Sequence, residues 1–250
     1  KETHMSDPIK IHSALAEAMS ARSYDTMTPV QEAVLDIEQP DADLLVSAQT
    51  GSGKTLAFGL SIATTLLQED TEFSRPKLPV ALIIAPTREL ALQVRKELEW
   101  VYARTKAQFA SCVGGMDPRA ERRTLESGAH IVVGTPGRLR DHIERGALRL
   151  SDIKAVVLDE ADEMLDMGFR EDLTFILEKA PVSRRTLLFS ATVPAQIAKM
   201  ARTYQKEAIR ISVASKTTQH LDISYHELKI QPSDRDKSIL NLLRYHDVSG

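Results

Sequence analysis

The chain has 250 residues, 42% of them hydrophobic and 27% charged, a composition typical of a globular protein with one large domain or one domain and part of another. Its net charge of −3 excludes a global electrostatic case for binding nucleic acid, so any such case must rest on local sites. The one cysteine, Cys112, excludes an intrachain disulfide and a cysteine-built metal site and favours a reducing, cytoplasmic setting. No apolar run approaches the roughly 20 residues of a membrane-spanning helix.

Short apolar runs alternate along the chain with segments of helical period. Residues 1–5, KETHM, resemble an expression scar, and we predict that 6–213 form one domain. The predicted strands are 44–48, 79–85, 109–114, 130–135, 155–160, 186–191 and 209–213, and the helices between them include 54–68, 88–104, 169–180 and 194–204. Most of the strands are apolar without alternation, as expected for strands that are covered on both faces. This order predicts an α/β fold with a doubly wound, mainly parallel sheet and helices on both faces.

A change of composition near residue 213 predicts the end of that domain. Residues 214–220, ASKTTQH, are polar and lack an apolar period, which is typical of a linker. Residues 221–250 then predict a strand at 221–230 and a helix at 236–246, which together cannot bury a core. We therefore expect 221–250 to be the start of a truncated second domain.

A glycine-rich loop, AQTGSGKT at 48–55, follows the first predicted strand and opens a helix. It fits the phosphate-binding pattern G-x-x-x-x-G-K-[ST], except that Ala48 replaces the first glycine. The segment Gly51-Ser52-Gly53 would turn the backbone N–H groups towards a polyphosphate. Lys54 would reach the β and γ phosphates, and Thr55 would ligate Mg²⁺. The alternative is a glycine-rich turn that only begins a helix, but the strand–loop–helix setting favours a nucleotide site.

Four carboxylates follow the buried run AVVL in the segment LDEADE, where they would repel one another without a cation. A magnesium ion on a nucleotide would compensate them, and Asp159, the first to leave the strand, is the predicted metal residue. Glu160 follows it and is the predicted general base, so that Lys54, Asp159 and Glu160 form the predicted catalytic set. For Glu163 we favour a solvated helix start, where acidic residues complement the helix dipole.

With AQTGSGKT and LDEAD, the chain resembles the DEAD-box family of ATP-dependent RNA helicases. Five further segments match the family in order: TPVQ at 28–31, PTREL at 86–90, GG at 114–115, TPGRL at 135–139 and SAT at 190–192. The resemblance covers residues 24–192 and implies a RecA-like P-loop domain. It also implies that the cofactors are ATP and Mg²⁺ and that 221–250 begin a second RecA-like domain.

The resemblance implies roles for residues around the base. Gln31 would read the adenine edge with its amide, and Tyr24 would pack near the base. TPVQ also fits a helix cap with proline at the first helical position, and both roles can hold together. The family usually carries an upstream phenylalanine that stacks on adenine, whereas DPIKIHSAL at 7–15 has no aromatic residue, which predicts a weaker base contact.

The resemblance also implies RNA contacts and a coupling element. Arg88, Gly115, Thr135 and Arg138 would meet RNA phosphates without reading sequence. The basic segments 117–123 and 138–149 are mixed with acidic residues and are predicted to be mostly solvated helix faces. Ser190 and Thr192 would hydrogen-bond Asp162, linking the nucleotide site to RNA engagement; the alternative is an ordinary turn before Pro194.

The function implied is the ATP- and RNA-binding N-terminal domain of an RNA-dependent ATPase that unwinds short duplexes or remodels ribonucleoproteins. A nucleotide-gated RNA clamp with little unwinding would share every motif, so it stays open as an alternative. Another P-loop enzyme, such as a DNA helicase or a nucleotide kinase, is disfavoured by DEAD together with TPVQ and SAT.

Overall fold

The structure is a computed structural model that describes residues 11–213 and 229–245, which fall in two compact units. The expectations for 1–5, 214–220 and most of the strand at 221–230 lie outside the described residues. The helix that was predicted from residue 236 is present as Arg235–Tyr245 and follows a 3₁₀ turn at Pro232–Asp234. Among the described residues, none of the helices combines the length and the apolar character needed to cross a membrane.

One seven-stranded sheet forms the larger unit. Its strands are β1 (Leu44–Ser47), β2 (Ala81–Ile84), β3 (Phe109–Cys112), β4 (Ile131–Gly134), β5 (Ala155–Leu158), β6 (Arg185–Ser190) and β7 (Ile209–Ser212). They lie in the order β3-β4-β2-β5-β6-β1-β7, and every pair is parallel. The doubly wound parallel fold is therefore confirmed. Six of the seven strands were predicted too long, because an apolar run continues past the paired residues: the run 79–85 pairs only over Ala81–Ile84. The strand predicted at 186–191 has the right length and begins one residue earlier, at Arg185.

Helices connect the strands and cover the sheet. They are α1 (Ser13–Ser20), α2 (Pro29–Leu35), α3 (Lys54–Leu67), α4 (Arg88–Val101), α5 (Pro118–Ser127), α6 (Pro136–Glu144), α7 (Ala161–Asp166), α8 (Arg170–Lys179) and α9 (Ala195–Tyr204), with α10 (Arg235–Tyr245) in the smaller unit. The four helices predicted from periodicity are present as α3, α4, α8 and α9. Three of the others begin with proline, whose fixed φ suits the first helical position.

Apolar side chains lie on both faces of the sheet, as the uninterrupted strand pattern predicts. On one face Val46, Ile83 and Val157 are fully buried in a cluster that includes residues of α1 to α4. On the other face Leu82 and Val156 are fully buried in a cluster that includes residues of α6 to α9. Because both faces are covered, the open positions of the sheet are its two edges and the two ends of its strands, and polar ligands are expected at the carboxyl ends.

Candidate functional site

Most of the predicted site residues converge because they follow strands of a parallel sheet, whereas Tyr24 and Gln31 precede β1. Their segments come after the carboxyl ends of six strands: 48–55 after β1, 86–90 after β2, 114–115 after β3, 135–139 after β4, 159–163 after β5 and 190–192 after β6. Since β1 to β6 run in the same direction, all six segments lie at the end of the sheet where the strands have their carboxyl ends. Segments that are distant in sequence therefore form one continuous polar surface.

The phosphate loop turns through left-handed backbone at two glycines. Gly51 has a φ of 79° and Gly53 a φ of 87°, conformations that strain residues with a Cβ atom. Gly53 also leaves room for the preceding helix, because a Cβ atom there would lie 2.6 Å from Gln31 Nε2. Ser52 lies between the two, and its buried hydroxyl has no hydrogen-bond partner among the described residues.

Lys54, the first residue of α3, is buried beneath this loop. Its ammonium donates to the Ala48 carbonyl at 3.3 Å and pairs with Glu160 Oε1 at 3.4 Å. The Thr50 hydroxyl donates to the same Glu160 oxygen at 2.8 Å. Lys54 and Glu160 thus meet across the loop, although they are 106 positions apart in sequence. They place one positive and one negative group beside the predicted phosphate position.

Gln31 and Tyr24 contact each other beside the loop. The Tyr24 hydroxyl lies 3.1 Å from Gln31 Oε1 and 3.0 Å from Gln31 Nε2. The Gln31 amide also accepts from the Thr28 N–H at 2.9 Å and donates to the Gly53 carbonyl at 3.2 Å, and the whole residue is buried. Gln31 therefore ties helix α2 to the phosphate loop, and its amide must exchange or share these partners to read a base.

Asp159 and Glu160 differ in their surroundings. Asp159 is buried, and burial raises its pKa to about 7, with Lys54 opposing that effect and Glu160 adding to it. Partial burial raises the pKa of the Glu160 carboxyl, but its contact with Glu163 and the donors Thr50 and Lys54 outweigh this, so that its pKa is lowered. Glu160 also holds a left-handed backbone, φ 51° and ψ 53°, at the start of α7, which turns it back towards the loop.

The donor atoms beside the loop fit a magnesium ion. Asp159 Oδ1 accepts only the Glu160 N–H, at 3.1 Å, among the hydrogen bonds of the described residues, so its carboxylate has lone pairs to spare in a buried position. The Thr55 hydroxyl, on the second residue of α3, is a second hard oxygen donor of the kind that Mg²⁺ prefers. Within the described part of the chain no three His, Cys, Asp or Glu side chains form a cluster that could hold a metal, so nucleotide phosphates would have to supply further ligands.

Asp162, Ser190 and Thr192 form one hydrogen-bonded group. Asp162 Oδ2 accepts from the Thr192 hydroxyl at 2.8 Å and from the Thr192 N–H at 2.9 Å. The Asp162 N–H donates to the Ser190 hydroxyl at 3.2 Å. The structure thus joins the start of α7 to the end of β6, and links the segment that carries Glu160 to the loop after Ser190.

The four residues predicted to bind RNA lie around the loop after β3. Arg88 Nη1 donates to the Gly114 carbonyl at 3.4 Å, and Arg138 Nη2 donates to the Met116 carbonyl at 2.9 Å. Gly115, at φ 75°, lies between these contacts, and a Cβ atom there would come within 2.7 Å of Arg88 Nη1. Thr135 is the N-cap residue just before α6, and its side chain makes no capping hydrogen bond.

Three polar residues of these surroundings were missed in the sequence. Glu97 of α4 lies near the Thr55 hydroxyl, and its pKa is raised because burial outweighs the opposing effect of that hydroxyl. Glu121 and His142 were assigned to solvated helix faces, but they are 5% and 2% exposed and contact each other. For those two positions the prediction of a solvated face was wrong, because a buried hydrogen-bonded pair of polar side chains leaves no apolar period to detect in segments rich in charge.

Comparison with known proteins agrees with this arrangement. The family described as DEAD/DEAH box helicase matches residues 28–200. The chain is 44% identical over 207 residues to the DEAD-box ATP-dependent RNA helicase CshA of Streptococcus pneumoniae, covering 82% of this chain and 38% of that protein. It is 39% identical over 239 residues to DEAD-box ATP-dependent RNA helicase 53 of Oryza sativa, covering 94% and 39%.

A solved structure shares the fold. The crystal structure of a DEAD box protein from the hyperthermophile Methanococcus jannaschii aligns with a TM-score of 0.76 at 31% identity, over 95% of this chain and 62% of that one. The chain spans less than half the length of the curated relatives it matches. The family match covers more than half of the chain and contains both the phosphate loop and the carboxylate segment, so the chain belongs to the DEAD/DEAH box helicases.

Proposed function

We propose that this chain is the ATP- and RNA-binding N-terminal part of an RNA-dependent ATPase that unwinds short RNA duplexes or remodels ribonucleoproteins. The observation that carries the proposal is the contact of Lys54 with Glu160 at 3.4 Å across a loop with two left-handed glycines. This contact places a positive charge that can bind phosphate beside a carboxylate that can accept a proton from water. The relatives are named ATP-dependent RNA helicases, which supports the same substrate pair.

Nucleotide binding would rearrange the ion pair. In the proposed mechanism the Lys54 ammonium turns from Glu160 to the β and γ phosphates, and the loop N–H groups and the start of α3 bind the same phosphates. Glu160 then keeps the Thr50 hydroxyl and can accept a proton from the attacking water. Thr55 and Asp159 would hold Mg²⁺, which neutralises charge that develops on the phosphates.

The proposed RNA surface is the loop after β3 with the starts of α4 and α6. Arg88 and Arg138 carry positive charge there. Gly115 presents a backbone N–H group and Thr135 a hydroxyl, since the Thr135 N–H already donates to the Cys112 carbonyl at 3.0 Å. Such groups suit a phosphate backbone and carry no sequence information, so binding would be independent of sequence. The hydrogen-bonded group of Asp162, Ser190 and Thr192 would couple nucleotide binding to the conformation of the neighbouring strand ends.

The smaller unit is proposed to begin a second RecA-like domain after a linker at 214–220, with 6–213 as the first domain and 1–5 as an expression scar. Helix α10 supports this, because its apolar residues Ile239, Leu240, Leu242 and Leu243 are 42–49% exposed and would need further elements to bury them. The greater length of the relatives supports it as well. The single cysteine is consistent with a reducing compartment, and we propose a cytoplasmic location.

Calorimetry with ATP and Mg²⁺ on Lys54→Ala tests the nucleotide site. Removal of the buried ammonium takes away the charge that faces the phosphates, so we expect ATP affinity to fall by at least about ten-fold, the loss for one hydrogen bond to a charged group. Lys96→Ala is the matched control, because Lys96 is an exposed lysine on α4. Equal affinity of Lys54→Ala and Lys96→Ala would refute the assignment.

A further inference from the structure

A buried carboxylate lies directly beneath the proposed RNA surface. Glu121 of α5 is 5% exposed, although it belongs to a helix whose other residues are accessible. Burial of a carboxylate costs much free energy unless hydrogen-bond donors replace the water that it loses. The identity of those donors therefore tells what Glu121 holds in place.

Both carboxylate oxygens are used, by three groups that lie on two other segments. Glu121 Oε1 accepts the Val113 N–H at 2.8 Å, at the point where β3 ends and the glycine loop begins. Glu121 Oε2 lies 2.7 Å from His142 Nε2 and 3.1 Å from Arg138 Nε, both on α6. Since a carboxylate can only accept, His142 donates from Nε2. Glu121 thus connects α5, the loop after β3 and α6.

The same contacts decide how Arg138 faces the surface. Its Nε points inwards to Glu121, with a longer contact to the Val113 carbonyl at 3.5 Å, and its Nη2 donates to the Met116 carbonyl. Nη1 lies 3.9 Å from Asp141 Oδ2, beyond the length of a hydrogen bond. With 18% of the side chain exposed, the outer edge of the guanidinium still has N–H groups for a phosphate.

We propose that Glu121 is a positioning residue of the RNA surface: by accepting from Val113, His142 and Arg138 it fixes the glycine loop and the outer edge of the Arg138 guanidinium for a phosphate before RNA arrives. This rests on the proposed RNA function and adds to it a residue that touches no RNA. An arginine has long rotatable torsions, and fixing it in advance removes an entropic cost from binding.

Glu121→Gln tests the role with little change of shape. The neutral amide has one acceptor oxygen, so it cannot accept from Val113 and from the pair on α6 together. We expect a fluorescein-labelled single-stranded oligouridylate of about ten nucleotides, followed by anisotropy, to bind about ten-fold more weakly. The slope of log affinity against log salt should fall by about 0.7, as for one lost phosphate contact on a single strand. Glu126→Gln, at an exposed glutamate of the same helix, should bind as the wild type does.

A double-mutant cycle separates positioning from general damage. If Glu121 acts partly through Arg138, then Glu121→Gln should weaken binding by a smaller factor in the Arg138→Ala background than in the wild type, because only its effect on the glycine loop through Val113 is left. The proposal is overturned if Glu121→Gln binds like the wild type, or if it weakens binding by the same factor with and without Arg138. No measurable binding by the wild-type chain would remove the proposed RNA function itself, and the positioning role with it.

Discussion

A methyl group added at Gly53 should cost more stability than one added at Gly51, although both glycines lie in the phosphate loop. The two positions have nearly the same left-handed backbone, with φ of 87° and 79°. They differ in what a Cβ atom would meet. At Gly51 nothing lies within 4 Å, whereas at Gly53 the atom would lie 2.6 Å from Gln31 Nε2 and 3.0 Å from Thr28 Oγ1.

The magnitudes follow from these surroundings. Left-handed backbone costs a residue with a Cβ atom about 1–2 kcal/mol, which is the expected loss for Gly51→Ala. Gly53→Ala carries the same cost and also displaces a fully buried amide that holds the Thr28 N–H and the Gly53 carbonyl. Leaving such groups unpaired costs about 1–3 kcal/mol more.

Urea unfolding without nucleotide measures the difference directly, because it excludes any effect on phosphate binding. We expect the free energy of unfolding of Gly53→Ala to lie about 1–3 kcal/mol below that of Gly51→Ala. If the free energy of unfolding falls equally in the two variants, the packing of Gln31 against the loop contributes nothing to stability. The inference that Gln31 ties α2 to the phosphate loop would then be refuted.

Three further outcomes follow from the site and the fold. In the full-length protein Glu160→Gln should keep ATP binding, since an amide oxygen still accepts from Thr50 and Lys54, while RNA-stimulated turnover falls by about 10²-fold or more; turnover at the wild-type rate would place the general base elsewhere. Gln31→Ala should lose most of a preference for ADP over GDP, about ten-fold or more by calorimetry, and a preference that persists would leave TPVQ as a helix cap. Burial lowers the pKa of His130, with the Ser74 carbonyl opposing, so the folded state favours the neutral imidazole. This contribution to stability is complete above the unfolded pKa of about 6.5 and is lost as pH falls through the lower folded pKa. In urea unfolding, the free energy of unfolding of His130→Asn should therefore decrease less on acidification than that of the wild type.

The phosphate loop could be predicted because it is local in sequence. Strand, glycine turn and helix follow one another within 44–67, so residue types and spacing contain all of its geometry. The strands could be predicted for a similar reason, since a strand that is covered on both faces needs a continuous apolar run. Their order in the sheet depends on packing between distant segments and could not be predicted.

The partners of the site residues needed the tertiary structure. From the sequence, Lys54 and Glu160 are expected at one site, but not their direct contact or the Thr50 hydroxyl that shares it. Tyr24 is expected near the base, but not on the Gln31 amide. Each of these contacts joins the ends of different elements, and the direction of a side chain at such a place depends on the neighbours that the fold supplies.

Glu121 shows the physical reason for this division. In the sequence it is one acid in a charged segment, and charge patterning is typical of a solvated face. In the fold it is buried, because β3, α5 and α6 bring a backbone N–H, an imidazole and a guanidinium to its two oxygens. Sequence by itself determined where the chain forms strands, helices and a phosphate loop, since these depend on local propensity and periodicity. The tertiary structure decided which charges are buried, since that depends on partners that only folding brings together.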